Sequence, residues 1–221
     1  MGGDPAIRGL TIDAMGCLVT LEDPVPALEA LLVRRGAPRG RAAIAAALRH
    51  EIAFYKAHHV RARDDAALRA LQRACAELVA RELDLRLLPG ADPGAVDDAF
   101  VDGFLACLEF TVLPGVPAAL TAVRDAGLPM VCVSNWDRGL PAHLERLGLA
   151  GFFRAVVTSG AVGAAKPDPA IFAPALDALG LPPSAVAHLG DEAVDRDGAA
   201  AAGLAYLEPP VATLPERLGL R

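Results

Sequence analysis

Several polar side chains of this sequence stand where short apolar runs end. The run GLTID ends on Asp13, PMVCVSN ends on Ser134 and Asn135, and AVAHLGD ends on Asp191, while Lys166 follows the run RAVVTS after a short loop. Two carboxylates can bind Mg²⁺, a hard cation that takes oxygen ligands and commonly shares them with a substrate phosphate. A hydroxyl and an ammonium group can then neutralise and orient the remaining phosphate oxygens. These residue types therefore suit the chemistry of a phosphoryl group.

The apolar runs are predicted to be buried parallel strands, because such strands read as nearly continuous apolar segments. The predicted strands cover residues 9–13, 129–135, 154–159, 185–191 and 204–208. Helical segments that end in glycine are predicted at 116–127, 140–148, 169–180 and 196–203. This alternation predicts an α/β fold with a doubly wound, Rossmann-like parallel sheet. Ligands of such sheets bind beyond the carboxyl ends of the strands, where the polar residues above are expected to meet.

The sequence between the first two predicted strands has a different pattern. Several stretches within 24–111 show helical periodicity, and no apolar strand run separates them. An all-helical insertion directly after the first strand is the economical interpretation. We therefore predict an α/β core of residues 1–22 and 112–221, and a helical cap of residues 23–111.

Composition limits the class of protein. The chain has 221 residues, is 53% hydrophobic and carries a formal charge of −6, with basic and acidic residues intermixed, which argues against a nucleic-acid surface. No run approaches the ~18 apolar residues of a membrane span, and the start of the chain lacks the order of a secretory signal peptide. Four scattered cysteines without CxxC spacing favour reduced thiols in the cytoplasm. A monomer and a homodimer both remain open.

Four sequence segments together form a recognisable pattern. IDAMGCL, VSN, KPDPAIF and HLGDEAVDRDGAAAAG occur in the order and at the spacing of the four motifs of the haloacid dehalogenase (HAD) superfamily. The chain therefore resembles that superfamily, in the subgroup with a helical cap (C1) after the first motif, over essentially its whole length. The resemblance implies a hydrolase that uses Mg²⁺ and acts on a small phosphorylated substrate.

The resemblance also implies roles for individual residues. Asp13 would be the nucleophile that attacks phosphorus and forms an aspartyl-phosphate. Ser134 would hydrogen-bond the phosphoryl oxygens, with the backbone amide of Asn135 beside it. Lys166 would tie Asp13 to the phosphate, and Asp191 would bind Mg²⁺.

Two further positions of the fourth and first motifs need separate treatment. Asp195, in the family's GDxxxD form, would either hold a water of the metal or brace Lys166. Met15 stands where family phosphatases usually have a second aspartate. Its backbone carbonyl can still bind the metal, but its thioether cannot carry a proton to the leaving group.

The missing acid and base leave the source of the proton open. Other residues that could supply it are Glu22, Asp23, Asp137, His58 and His59, of which Asp23 and His58 are the first to test. General acid–base catalysis is typically worth ~10²–10⁴-fold, so slow hydrolysis of alkyl phosphates is expected. Substrates with an acidic leaving group, such as aryl or acyl phosphates, should react better.

The departure at Met15 keeps other functions open. Haloacid dehalogenases have a non-acidic residue at this position and displace halide, but their fourth motif is not built around a metal. Phosphonoacetaldehyde hydrolases also lack the second aspartate and use a cap lysine, for which Lys56 is the candidate. A catalytically impaired module that binds a phosphorylated ligand is the third alternative.

The predicted cap carries a polar and aromatic cluster that can select the substrate. This cluster contains Tyr55, His58, Arg61 and Arg63, and an arginine can grip a substrate anion. Trp136, the only tryptophan, is predicted either to line the bottom of the substrate pocket or to pack in the core. Core packing is the simpler interpretation of Cys17, although this thiol lies four residues after the first aspartate.

Overall fold

The computed structural model describes residues 7–220 of the chain. Residues 1–6 lie outside the described residues. They make up most of the segment that was expected not to be a signal peptide. The fold comprises two compact units. One is formed by the chain up to Thr20 and from Thr111 onward, and the other by Leu21–Phe110. We call them the α/β unit and the helical unit.

The α/β unit is built around a five-stranded parallel sheet in the order β5-β4-β1-β6-β7. In chain order the strands of the molecule are β1 Gly9–Ile12, β2 Val19–Leu21, β3 Phe110–Val112, β4 Met130–Ser134, β5 Val156–Thr158, β6 Val186–Leu189 and β7 Ala205–Leu207. The central strands β1, β4 and β6 are buried along their whole length, which explains their continuous apolar sequences. The predicted doubly wound parallel α/β sheet is thereby confirmed.

Helices alternate with the strands of the sheet and also form the body of the helical unit. In chain order they are α1 Val25–Arg34, α2 Arg41–His58, α3 Asp65–Glu82, α4 Asp98–Ala106, α5 Val116–Asp125, α6 Leu140–Arg146, α7 Ser159–Val162, α8 Ala173–Leu179, α9 Ala193–Ala202 and α10 Leu214–Arg217. Short 3-10 turns join them at His59–Arg61, Ala150–Phe152, Pro169–Phe172, Pro183–Ala185 and Val211–Thr213. Within the described residues, no helix is long and apolar enough to span a membrane.

The helical unit has its own apolar core and capped helices. Its core includes Leu28, Leu32, Ile44, Val79, Leu85, Phe100 and Phe104. Asp64 accepts a hydrogen bond from the Ala67 amide at 2.8 Å at the start of α3, and Asp97 accepts one from Phe100 at 2.7 Å at the start of α4. Such side-chain caps satisfy amides that have no partner inside the helix, so these helices begin where the sequence places an aspartate.

Two short strands differ from the sequence prediction. β2 and β3 pair with each other outside the parallel sheet, and β3 begins at Phe110, inside the stretch predicted to be helical. The amide of Glu22 donates to the Glu109 carbonyl at 2.9 Å, so the chain enters and leaves the helical unit side by side. Three-residue strands carry too few residues to show an alternating pattern.

The helix predicted over 169–180 is also divided. The structure has a 3-10 turn at Pro169–Phe172 and the helix α8 at Ala173–Leu179. Pro174 explains the break, because a proline has no amide to donate to the carbonyl four residues earlier.

Candidate active site

The loop after β1 brings the first motif against the fourth. The Asp13 amide donates to the Leu189 carbonyl of β6 at 2.8 Å. Gly16 has a φ of 73°, and a Cβ at this position would lie 2.2 Å from Oδ2 of Asp191. Only glycine accommodates both the left-handed backbone and this close approach. The Gly at this place in the motif therefore lets the loop and Asp191 come together.

Lys166 is the central cation of the site, and its side chain is only 1% exposed. Its Nζ donates to Asp13 Oδ1 at 2.7 Å, to Asp195 Oδ1 at 2.5 Å and to the Val133 carbonyl at 3.0 Å. Burial alone would lower the pKa of Lys166, but the two carboxylates outweigh it and raise this pKa above its usual value. The ammonium group is therefore held charged, with a protein acceptor for each of its three protons.

Asn135 holds the backbone of Lys166 in place. Its Nδ2 donates to the Lys166 carbonyl at 3.0 Å, and its Oδ1 accepts from the Lys166 amide at 2.7 Å. The sequence prediction concerned the Asn135 backbone amide, whereas the structure shows this additional role for the side chain. A carboxamide can donate and accept together, which suits pairing with one peptide unit.

Asp13 and Asp191 form a group of possible cation ligands together with Cys17. One donor atom from each of the three lies within 4.8 Å of the other two. Burial, followed by the charges of Asp13 and Asp195, raises the pKa of Asp191. Burial and the same carboxylates raise the pKa of Cys17, so this group is a thiol. A divalent cation would relieve the repulsion between the carboxylates.

Asp195 lies beside Lys166 rather than in this group of ligands. Its Oδ1 accepts from Lys166 Nζ, and its Oδ2 accepts from the Glu192 amide at 3.0 Å. Burial would raise the pKa of Asp195, but hydrogen bonds from His188 and Lys166 outweigh it and lower this pKa. Of the two roles suggested by the sequence, these contacts correspond to bracing Lys166.

His188 is a member of this network that the sequence reasoning missed. It is 0% exposed on β6, with Nε2 at 3.0 Å from Asp195 Oδ1 and Nδ1 at 2.9 Å from Thr11 Oγ1. Burial lowers the pKa of this imidazole. The available signal was a single histidine in an otherwise apolar strand run, two residues before the glycine of the fourth motif.

The second motif places three polar or aromatic groups around the end of β4. Ser134 is 2% exposed and is the last residue of β4. Trp136 is buried, and its ring lies 5.9 Å from that of His143 between centroids. Asp137, one of the alternative proton sources, accepts from the Gly139 amide at 2.6 Å. These three residues therefore lie at the carboxyl end of β4, the edge of the sheet to which Asp13 belongs.

Met15, in contrast, is 36% exposed in the same loop. It forms an isolated bridge with Val19, which places its backbone in a defined position. The thioether of Met15 cannot donate or accept a proton, so residue 15 supplies neither a general acid nor a general base.

The predicted substrate-binding residues of the cap all lie in the helical unit. Tyr55 packs against the core of that unit, and its ring is 5.7 Å from that of His59. His58 stacks on Phe54 at 4.1 Å and lies 2.7 Å from the Phe54 carbonyl through Nδ1. Arg61 is exposed. Their contact with a substrate stays a prediction, as does the role of Lys56 and of Asp23.

The sequence of the chain is similar to several hydrolases. Haloacid dehalogenase-like hydrolase domain-containing protein 3 of Mus musculus is 40% identical over 110 residues, which are 49% of this chain and 44% of the mouse protein. The phosphoglycolate phosphatase of Caulobacter vibrioides is 35% identical over 130 residues, 54% of this chain and 55% of that protein. The chain thus matches about half the length of these relatives.

The fold is shared with solved structures at lower identity. The HAD phosphatase from Thermococcus onnurineus superposes with a TM-score of 0.63 at 20% identity, covering 97% of this chain and 99% of the other. L-2-haloacid dehalogenase structures share the fold as well. At this level of identity the likeness establishes the fold alone.

A family model describes nearly the whole of the described chain. The model for haloacid dehalogenase-like hydrolases matches residues 7–203, a range that includes Asp13, Ser134, Lys166 and Asp191. The chain belongs to the haloacid dehalogenase-like hydrolase family.

Proposed function

We propose that this hydrolase is a Mg²⁺-dependent phosphatase that cleaves a small phosphorylated metabolite through an aspartyl-phosphate on Asp13. The observation that carries the proposal is the position of the Asp13 carboxylate. Its Oδ1 accepts from Lys166 at 2.7 Å, and a carboxylate oxygen of Asp191 lies within 4.8 Å of a carboxylate oxygen of Asp13. A carboxylate between a fixed ammonium and a second acid suits attack on an anionic phosphorus centre next to a cation.

The donor set fits a hard divalent cation. Asp13 and Asp191 would provide carboxylate oxygens, and Met15 would provide the backbone carbonyl that the first motif implies. Oxygen ligands at a partly open site match the preference of Mg²⁺, which keeps waters and shares a phosphate. When bound, the ion would offset negative charge on the phosphoryl group. Asp195 is occupied by Lys166 and is proposed to act through that residue.

The chain's own residues account for the covalent steps. A carboxylate oxygen of Asp13 attacks phosphorus, and the bond from phosphorus to the ester oxygen breaks with its electron pair leaving on that oxygen. Water then attacks the phosphorus of the aspartyl-phosphate, which releases inorganic phosphate and restores the carboxylate. Lys166 holds the Asp13 carboxylate and offsets negative charge in both steps, and the Ser134 hydroxyl is proposed to orient the phosphoryl oxygens.

The nature of residue 15 determines which substrates react well. Met15 cannot protonate the leaving oxygen, so an alkoxide would have to depart unassisted. Phenolates and carboxylates are stable without a proton, so aryl and acyl phosphates are the better substrates. We propose that Tyr55, His58 and Arg61 of the helical unit contribute to substrate choice.

The decisive experiment is phosphate release from p-nitrophenyl phosphate and acetyl phosphate, with Mg²⁺ and with EDTA. We expect Mg²⁺-dependent turnover that Asp13→Asn abolishes, with circular dichroism to show that the variant is folded. Panel members should include 2-phosphoglycolate, because a relative is named phosphoglycolate phosphatase. Absence of turnover on a broad panel of phosphate esters and anhydrides would contradict the proposal.

The exposed Met15 favours one second candidate, a phosphate-binding module with little turnover. The variant Met15→Asp separates the two functions, because it restores a group that can donate and accept a proton. For a phosphatase, hydrolysis of an alkyl phosphate should rise by about 10²–10⁴-fold, the usual value of general acid–base catalysis. A binding module should bind inorganic phosphate in calorimetry with Mg²⁺ and remain inactive in both forms.

A further inference from the structure

The imidazole of His188 occupies a fixed position between the two central elements of the site. Thr11 of β1 and His188 of β6 are directly paired in the register of the parallel sheet, so their side chains stand next to each other. The ring also packs edge-on against Phe172, with centroids 4.9 Å apart and planes at 77°. A neighbouring strand and an aromatic ring therefore fix both the location and the plane of the imidazole.

The hydrogen bonds define the proton positions on this ring. Asp195 Oδ1, at 3.0 Å from Nε2, is a carboxylate that also accepts from Lys166, and an ionised carboxylate only accepts. Nε2 must therefore carry the proton. In a neutral imidazole Nδ1 is then an acceptor, and the Thr11 hydroxyl at 2.9 Å is the matching donor.

The consequence for Asp195 is a carboxylate held by three donors. His188 and Lys166 donate to Oδ1, and the Glu192 amide donates to Oδ2. The space is closed on another side, because a Cβ on Gly190 would lie 2.3 Å from the Asp195 side chain. Without the imidazole, Oδ1 would lose one of its two donors, and Lys166 alone would orient that oxygen.

We propose that His188 is a positioning residue: as the Nε2–H tautomer set by Thr11, it orients Asp195, which in turn holds Lys166 against Asp13. This role rests on the proposed phosphatase function, and it adds two residues, Thr11 and His188, to the machinery of that site. The residue touches no substrate in this role. It acts through the two side chains that lie between it and the nucleophile.

Two substitutions at position 188 separate positioning from packing. His188→Leu fills the space without a donor, whereas His188→Gln retains a terminal amide that can donate to Asp195. For p-nitrophenyl phosphate with Mg²⁺, we expect His188→Leu to lower kcat by about 10–100-fold with a smaller change in KM, the usual effect of losing a partner of this kind. His188→Gln should recover most of the loss, and Thr11→Val should lower kcat by less than His188→Leu.

A matched control addresses loss of stability. Val186→Ala removes buried methyl groups from the same strand and, by the alternation of side chains, the same sheet face, but touches no hydrogen bond of the network. It should keep the kcat of the wild type. If folded His188→Leu keeps kcat within twofold, or if His188→Gln is as impaired as His188→Leu, the positioning role is wrong.

A readout without turnover distinguishes this proposal from failure of the phosphatase proposal. ¹⁵N NMR of histidine side chains in the whole protein assigns the tautomer of His188 directly. We expect the neutral Nε2–H form in the wild type and a mixture of tautomers in Thr11→Val. An Nδ1–H or doubly protonated ring in the wild type at pH 7 would overturn the inference, whether or not the protein hydrolyses the aryl phosphate.

Discussion

The two units of this molecule both bury ionisable side chains, but they surround them differently. In the α/β unit, Lys166 lies between Asp13 and Asp195 at distances of 2.7 and 2.5 Å. In the helical unit, Glu51 on α2 is 5% exposed and has the thiol of Cys75 as its hydrogen-bond partner. The carboxylates of Asp13 and Asp195 thus share one cation. The partner of the Glu51 carboxylate is instead a thiol, which is a weak donor.

The pKa values of these carboxylates shift in opposite directions as a result. Burial raises the pKa of Glu51, and the Cys75 hydrogen bond offsets only part of that effect. For Asp195, burial is outweighed by hydrogen bonds from His188 and Lys166, and the pKa falls. Depth of burial therefore does not decide whether an acid is charged; the donors around it do. The contacts in the α/β unit keep Lys166 and Asp195 charged. Burial of Glu51 is instead expected to lower the free energy of unfolding at neutral pH.

Removing the shared cation should have the largest effect. Lys166→Met leaves Asp13 and Asp195 buried without their partner, and breaking a buried pair in this way typically costs about 3–5 kcal/mol. We expect a loss of that order in the free energy of unfolding at pH 7 in EDTA, and loss of phosphatase activity with Mg²⁺. Urea unfolding followed by the fluorescence of Trp136 measures this, because the single tryptophan lies buried in the α/β unit.

Lys166→Arg is the control for charge alone. The planar guanidinium keeps the charge but does not match three acceptors that converge on one nitrogen, so activity should also be lost. A stable and active Lys166→Met protein would show that the two carboxylates do not depend on this cation.

A change at Glu51 should have an intermediate effect of the opposite sign. The folded protein holds the Glu51 proton more tightly than the unfolded chain does, so stability falls as the pH rises from the ordinary pKa of 4.5 through the raised value. Glu51→Gln removes this decline, and we expect it to stabilise the helical unit at pH 7 by on the order of 1–2 kcal/mol.

Far-UV circular dichroism during urea unfolding at pH 4 and pH 7 is the measurement, because α1 to α4 contribute much of the helical signal. The gain from Glu51→Gln should be present at pH 7 and absent at pH 4. Equal effects at both pH values would mean that the surroundings of Glu51 do not raise its pKa.

An exposed ion pair in the helical unit should have the smallest effect. Arg41 and Glu29 lie 2.8 Å apart, with side chains 66% and 33% exposed. Arg41→Ala should lower the free energy of unfolding by no more than about 1 kcal/mol, and 0.5 M salt should abolish even that difference. A loss comparable to that of Lys166→Met would remove the distinction between buried and exposed pairs.

The strands of the sheet, and the polar residues predicted at their carboxyl ends, follow from the sequence because both depend on local patterns. The run before Asp13 is mostly apolar because β1 is buried along its whole length, and the polar residue that follows the strand marks the carboxyl edge of the sheet. The scarcity of lysine drew attention to Lys166, and in the structure its compact ammonium meets three acceptors. The family resemblance, which the match over residues 7–203 confirms, rests on the same motifs.

What the sequence could not show depends on contacts between distant segments. His188 and Thr11 sit in apolar runs and become a pair only through the register of β6 on β1. From its sequence context Cys17 is most simply a buried core thiol. Only the approach of Asp191 in the fold places it among possible ligands. Similarly, the short pair β2 and β3 forms from segments about ninety residues apart, which local periodicity cannot relate.

The short strand pair of β2 and β3 also affects how freely the segment inserted between them can change. The hydrogen bond from Glu22 to Glu109 joins the two ends of the inserted segment, so its entry and exit occupy one rung of a ladder. Lengthening a flexible closed loop costs only about 0.6 kcal/mol for each doubling of its length. Inserted segments of very different length can therefore be joined to this strand pair. The inserted segment can therefore be exchanged as a whole while β1, the strand that precedes Asp13, stays as it is.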